Sequence, residues 1–251
     1  MKSIGIIGGV GPEAGTLLQR YVIEETAAQK SVRTDQDHVP TFHLSVPHLI
    51  ADRSAYLADQ SGENPASGAL KVAHMLDGLG ANFDGVVVGV PCNTFHAPAI
   101  WDSFVGQSAD LERLEVVNMI DSVAAYIKDS FIDVTKIGLM STTGTRNAGI
   151  YHSALESEGF EILEVESQSE LHETIYNSEY GLKAVSPPSA KAVANFESYA
   201  DELIDKGAEA LILGCTEIPL AFAGVDHYKG VPLIDPMRSL ARALVAKALI
   251  E

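Results

Sequence analysis

One pattern occurs twice in this chain and narrows the available folds more than any other: an apolar run ending in a cysteine, followed by hydroxyl or amide residues. Val88-Gly89-Val90-Pro91-Cys92-Asn93-Thr94 is matched about half the chain later by Leu211-Ile212-Leu213-Gly214-Cys215-Thr216-Glu217. A second pair accompanies it. Ile4-Gly5-Ile6-Ile7 runs into Gly8-Gly9-Val10-Gly11, and Ile137-Gly138-Leu139-Met140 runs into Thr142-Thr143-Gly144. Short continuous apolar runs bounded by turn residues are the mark of strands buried on both faces, as in parallel sheets. The duplication predicts two similar α/β halves, each setting a cysteine just past the C-terminal end of a buried strand. Ligands sit at that edge in open α/β sheets. Facing halves would bring both cysteines to one cleft.

Strand and helix signals alternate along the whole chain, as this plan requires. Strands are expected at Ile4–Ile7, Thr41–Val46 and Gly85–Val90, then at Lys136–Met140, Glu161–Val165 and Ala210–Leu213. Pro12 suits the first position of a helix carrying Leu17, Leu18, Tyr21 and Val22 inward, and Leu70–Leu79 reads as a helix closed by Gly80. Helical spacing returns around Ile120, Val123, Ala124 and Ile127. Thr142-Thr143-Gly144-Thr145 is a turn that caps a helix ending near Gly159. Val193, Phe196, Ala200, Leu203 and Ile204 form one face of a helix ended by Gly207, and Pro236 opens a last helix with Leu240, Leu244 and Val245 inward.

The formal charge of −17 argues against nucleic acid, because a phosphate backbone is bound by clustered Lys and Arg. It leaves the substrate's charge open, since one or two local cations dominate a pocket. No apolar run approaches the roughly 20 residues of a membrane span. The first apolar stretch is also too short for the roughly 7–15 residues of a secretory signal. Two cysteines form no disulfide scaffold, so reduced thiols and a cytoplasmic protein are expected. His38, His43 and His48 lie five residues apart, a spacing that suits no zinc site, and no metal is expected.

Two thiols fixed on opposite sides of a substrate carbon can remove a proton from one face and deliver one to the other. That geometry sets the sulfurs about 7 Å apart, where a disulfide needs near contact. A thiol near its ordinary pKa works as a base only where its surroundings favour the thiolate, and acidic neighbours oppose this. His96 stands close enough in sequence to orient Cys92, although a lone histidine is more often a structural hydrogen-bonder. Gly9-Val10-Gly11-Pro12-Glu13-Ala14 fits the dinucleotide fingerprint, but Pro12 removes an N–H from the helix start and Pro47-His48 stands where a ribose-binding acid is wanted. A turn closing over a small carboxylate explains it as well. Arg53 falls in a polar loop after the second strand. Lys183, in Tyr180-Gly181-Leu182-Lys183-Ala184, reads as an ion-pairing residue rather than a pyridoxal phosphate lysine.

Gly8-Gly9-Val10-Gly11-Pro12, Asp52-Arg53, Pro91-Cys92-Asn93-Thr94 with His96, Thr142-Thr143-Gly144-Thr145, Gly214-Cys215-Thr216-Glu217 and Ile234-Asp235-Pro236 together resemble the aspartate/glutamate racemase superfamily. The similarity runs from residue 4 to about residue 245 and is greatest to aspartate and broad-specificity amino-acid racemases. Glutamate racemases usually carry His where this chain has Glu217. The resemblance implies two pseudo-symmetric three-layer α/β domains, each with a mainly parallel sheet and the active site in the cleft between them. The first would hold residues 1–116 and 229–251, the second residues 117–228. It further implies racemisation of an acidic amino acid, aspartate first and glutamate next, by Cys92 and Cys215 without a cofactor. Arg53 and Lys183 would take the side-chain carboxylate. Asn93, Thr94, Thr143, Thr145 and Thr216 would take the α-carboxylate, with Gly11, Gly144 and Glu217 also lining the site. A homodimer is implied as well. Two positions depart from the pattern: Gly15 where Thr is usual, and bulky Phe95 beside Cys92, which puts the substrate range in question.

Overall fold

The structure is a computed structural model and describes residues 1–250. The chain forms two compact units: Met1–Ser122 with the C-terminal segment from Met237, and Val123–Pro236.

The first unit is built on β1 (Ser3–Gly8), α1 (Pro12–Gln29), β2 (Thr41–Ser45), α2 (Arg53–Asp59), α3 (Pro65–Gly80), β3 (Val86–Gly89), α4 (Pro98–Ser108) and β4 (Leu114–Val117). Its four strands are all parallel, in the order β2-β1-β3-β4. β1 and β3 are buried along their whole length because helices cover both faces. On one face Val72, Ala73 and Leu76 of α3 join Ile100 and Phe104 of α4 over Val86 and Val88. α5 (Met119–Ser130) carries the chain out of this unit.

The second unit comprises β5 (Lys136–Ser141), α6 (Thr143–Asn147), α7 (Ile150–Glu156), β6 (Glu161–Glu164), α8 (Gln168–Tyr176), α9 (Ala190–Asp205), β7 (Ala210–Gly214), α10 (Ile218–Ala221), β8 (His227–Tyr228) and β9 (Val231–Ile234). The sheet order is β6-β5-β7-β9-β8, parallel except for the short β8 edge. Phe196, Tyr199, Ala200 and Leu203 of α9 pack on Leu211 and Leu213 of β7 in a core that also contains Cys215. α11 (Pro236–Leu249) returns to the first unit, where Leu240, Leu244 and Val245 are buried.

The fold is thus mixed α/β with two mainly parallel sheets. Both boundaries fall later than the sequence expectation of 116/117 and 228/229. Val117 pairs with Gly89 and so completes the first sheet. Leu233 and Ile234 pair with Leu211 and Ile212, which ties β9 to the second unit despite Pro232 in its middle. The helix expected from Thr145 to Gly159 is two helices, because Gly149 turns left-handed at φ +62° between them. On α1 the buried positions are Ala14, Gly15, Leu18, Val22 and Thr26, so Leu17 and Tyr21 sit at the margin of the core.

Candidate active site

Cys92 lies past the end of β3, in a turn whose form follows from three bonds to its backbone. The Cys92 carbonyl accepts the Phe95 N–H at 3.2 Å and Nδ1–H of His96 at 2.9 Å, while the Cys92 N–H donates to the Val90 carbonyl at 2.9 Å. The tautomer of His96 is set by its other nitrogen: Nε2 accepts the Met119 N–H at 3.2 Å and therefore carries no proton. Burial pushes the His96 pKa down to about 4, against the raising effect of its bonds to the turn. His96 is neutral, buried and stacked on Trp101 at 4.4 Å. It is a positioning group for the Cys92 turn, not a proton shuttle.

Phe95 is fully buried, edge-on to Phe104 at 5.5 Å and Trp101 at 6.4 Å. Its ring belongs to the buried cluster that also holds Ile100, Phe104 and Cys92. Asn93 is buried and Thr94 half-buried in the same turn.

Arg53 is not in a loop. It is the first residue of α2, whose N-cap Asp52 accepts the Ala55 N–H at 2.7 Å. α2 packs against the Asn93–His96 turn, so Arg53 and Cys92 are carried by touching elements. The guanidinium folds back on the glycine-rich turn, donating to the Val10 carbonyl at 3.3 Å and the Ala51 carbonyl at 3.4 Å. Its Nε is buried without a partner in the protein. A buried guanidinium N–H left open is a ready donor for a carboxylate. Gly11 caps α1 in the same turn. The departure at Gly15 has a packing reason, because a Cβ there would lie 2.3 Å from Nε2 of His43.

In the second unit Cys215 follows β7 and is similarly buried. Its Sγ donates to Glu217 Oε2 at 3.0 Å, and the Thr216 hydroxyl donates to the same oxygen at 2.9 Å. Lys183 Nζ donates to the other carboxylate oxygen at 2.7 Å. Burial pushes the Cys215 thiol well up and the Glu217 charge adds to it, with Lys183 opposing. For Glu217, burial works upward but is outweighed by Lys183 and the three donors, so its pKa lies below the ordinary value. Burial would lower Lys183, yet the neighbouring acidic groups raise it. At neutral pH the cluster is a thiol, a carboxylate and an ammonium.

Thr142 caps α6, its hydroxyl accepting the Thr145 N–H at 3.2 Å and donating to the Thr145 hydroxyl at 3.1 Å. Thr145 is therefore buried in the cap, and Thr143 and Gly144 are the more accessible members of the turn. The Thr143 N–H donates to Nδ1 of His172 at 3.3 Å. His172 stacks on Tyr176 at 4.7 Å, and Lys183 lies over the Tyr176 ring at 5.3 Å. The thiol end of β7 is thus joined to the α6 turn through α8. Nothing in the sequence singles out His172 or Tyr176, which look like ordinary helix positions. Buried Tyr151 also neighbours Cys215 and Asp235 and was equally silent.

Each unit therefore presents a free, buried cysteine just past the carboxyl end of an inner strand of its sheet. The chain belongs to the Asp/Glu/hydantoin racemase family, whose model matches residues 7–244. Among solved structures it is similar to the Picrophilus torridus aspartate racemase, at 27% identity and a TM-score of 0.78, covering 99% of this chain and 94% of that one. It is also similar to an aspartate racemase homologue from Pyrococcus horikoshii, at 25% identity and a TM-score of 0.69, covering 99% of both chains. The Francisella tularensis glutamate racemase, solved with D-glutamate, shares the fold at 16% identity and a TM-score of 0.61, covering 98% of this chain and 80% of that one. Family and neighbours imply an isomerase of the amino-acid racemase type. No helix among the described residues is long and apolar enough to cross a membrane.

Proposed function

We propose that the protein racemises an acidic amino acid, aspartate first, by a two-base mechanism that uses Cys92 and Cys215 and no cofactor. The observation that carries this reading is the matched pair of buried free cysteines, one at the end of each unit's central strand. The mechanism requires the two thiols to flank one substrate Cα. Each is the base toward one enantiomer and the acid toward the other. Arg53, with its open Nε, and Lys183 suit the side-chain carboxylate. Asn93, Thr94, Thr143, Thr216 and the Gly11 and Gly144 turns are the proposed cradle for the α-carboxylate, where donors offset charge as the carbon loses its proton. Thr145 supports that cradle from the α6 cap, and Glu217 acts on the thiol rather than on substrate. Independence from pyridoxal phosphate fits Lys183, which is held protonated against Glu217 and poorly placed to form an imine. Action as a homodimer in the cytoplasm belongs to the same proposal.

Kinetics of the purified protein test it. Cys92→Ser and Cys215→Ser should each lower aspartate racemisation by about 100- to 10,000-fold, the usual contribution of a positioned acid or base. Arg53→Leu should raise KM for aspartate far more than for alanine. Wild-type turnover in either serine variant would remove that cysteine from the mechanism.

A further inference from the structure

The environment of Cys215 poses a problem for any reaction in which it must act as a base. The thiol is buried and a carboxylate 3.0 Å away repels the charge a thiolate would carry. Losing its proton to solvent would leave two anions side by side in a buried site. Two acids that cannot both ionise instead share one proton, and they titrate as a pair.

We propose that Glu217 is the proton store of Cys215: the Sγ–H bond breaks, an Oε2–H bond forms along the existing hydrogen bond, and Lys183 serves as counter-ion to whichever partner is charged. This rests on the racemase reading and adds a step to it. The charge of the cluster is the same before and after, so the thiolate appears without a net loss of a proton. Thr216 donates to the oxygen that would take the proton, and Lys183 donates to the other, so the carboxylate is held in line with the sulfur. The other groups facing Cys215 are Tyr151 and, beside it, Asp235. Tyr151 is a buried phenol whose pKa is raised further, so it stays neutral. When the thiolate has taken the substrate's α-proton, Cys215 is again a thiol and Glu217 releases the stored proton. By way of solvent, that proton replaces the one Cys92 has given to the other face of the substrate.

The test is the pH dependence of iodoacetamide alkylation at Cys215, read by mass spectrometry. The Cys92→Ser single variant is compared with the Cys92→Ser, Glu217→Gln double variant. The thiolate is the reacting form. A shared proton makes its population independent of pH while the pair holds one proton. The single variant, which retains Glu217, should therefore show a rate that changes less than about threefold between pH 6 and 8, whereas the rate of the double variant should fall about 100-fold from pH 8 to pH 6. Glutamine still accepts the S–H bond, so loss of the plateau reports proton transfer rather than packing. Removing the carboxylate charge also favours the thiolate at high pH, and for that reason the slope, not the absolute rate, carries the result. A tenfold change per pH unit in both proteins, a plateau in both, or no alkylation of the single variant at any pH overturns the proposal. A plateau that depends on Glu217 in a protein whose parent racemises no amino acid would uphold the proton store and sink the racemase reading.

Discussion

His96 shows how one side chain ties chemistry to stability. Its ordinary pKa of 6.5 falls to about 4 in the folded protein, because burial of the ring disfavours its charged form by more than its bonds to the Cys92 turn favour it. Below pH 6.5 the unfolded chain binds a proton that the folded chain refuses, so stability is present above 6.5 and lost progressively down to about 4. The loss amounts to about 3 kcal/mol for a shift of this size. Urea unfolding from pH 7 to pH 4 should show it, and His96→Gln should be less stable at pH 7 but flatter across that range. An unchanged pH dependence in the variant would mean that His96 is not the group responsible. The placement of each cysteine past a buried strand was legible in the sequence because an uninterrupted apolar run precedes it, whereas Arg53 and Lys183 were singled out through the family motif. The pairing of Lys183 with Glu217 was legible only in part, since a residue in the 177–189 segment carries no signal of which strand end it will meet. Phe95 was legible as unusual but not as core, because sequence spacing does not tell which way a short turn points its side chains.

At the scale of elements, caps and close approaches hold the site turns. Thr142→Ala removes the acceptor for the Thr145 N–H at the start of α6 and should cost about 1 kcal/mol in denaturant unfolding. Faster amide exchange at Thr145 should accompany it, and unaltered exchange would show that the cap is dispensable. Gly68 is a stricter case. A Cβ there would lie 1.9 Å from the Leu49 carbonyl oxygen, so α3 cannot keep its seat on the 47–49 turn that leads to Arg53. Gly68→Ala should destabilise by about 3 kcal/mol. An unfolding midpoint equal to that of the parent would show that the turn yields freely. The strands rich in Val and Ile could be read from sequence because burial on both faces leaves an uninterrupted apolar run. β4 and β9 could not. Glu115, which takes Lys2 and Lys247 as partners, interrupts one, and Pro232 interrupts the other. α4 and α8 went unread as well, and α8 is the helix that links the α6 turn to Lys183.

For the whole molecule, the duplication seen in the sequence corresponds to two sheets of like plan, and the chain's two passages between units occur at α5 and α11. A net charge of −17 places the few cations at a premium. Arg53 and Lys183 are the cations that the proposed function assigns to an acidic substrate. The account rests on proton traffic at a substrate α-carbon through both thiols. Proton NMR of L-aspartate with reduced protein in D₂O, followed by chiral analysis, measures that traffic directly. The account predicts loss of the α-proton signal together with formation of deuterated D-aspartate, and formation of D-aspartate at least about 100-fold slower in Cys92→Ser or Cys215→Ser protein. Retention of the α-proton signal by aspartate, glutamate and a wider amino-acid panel alike would contradict it.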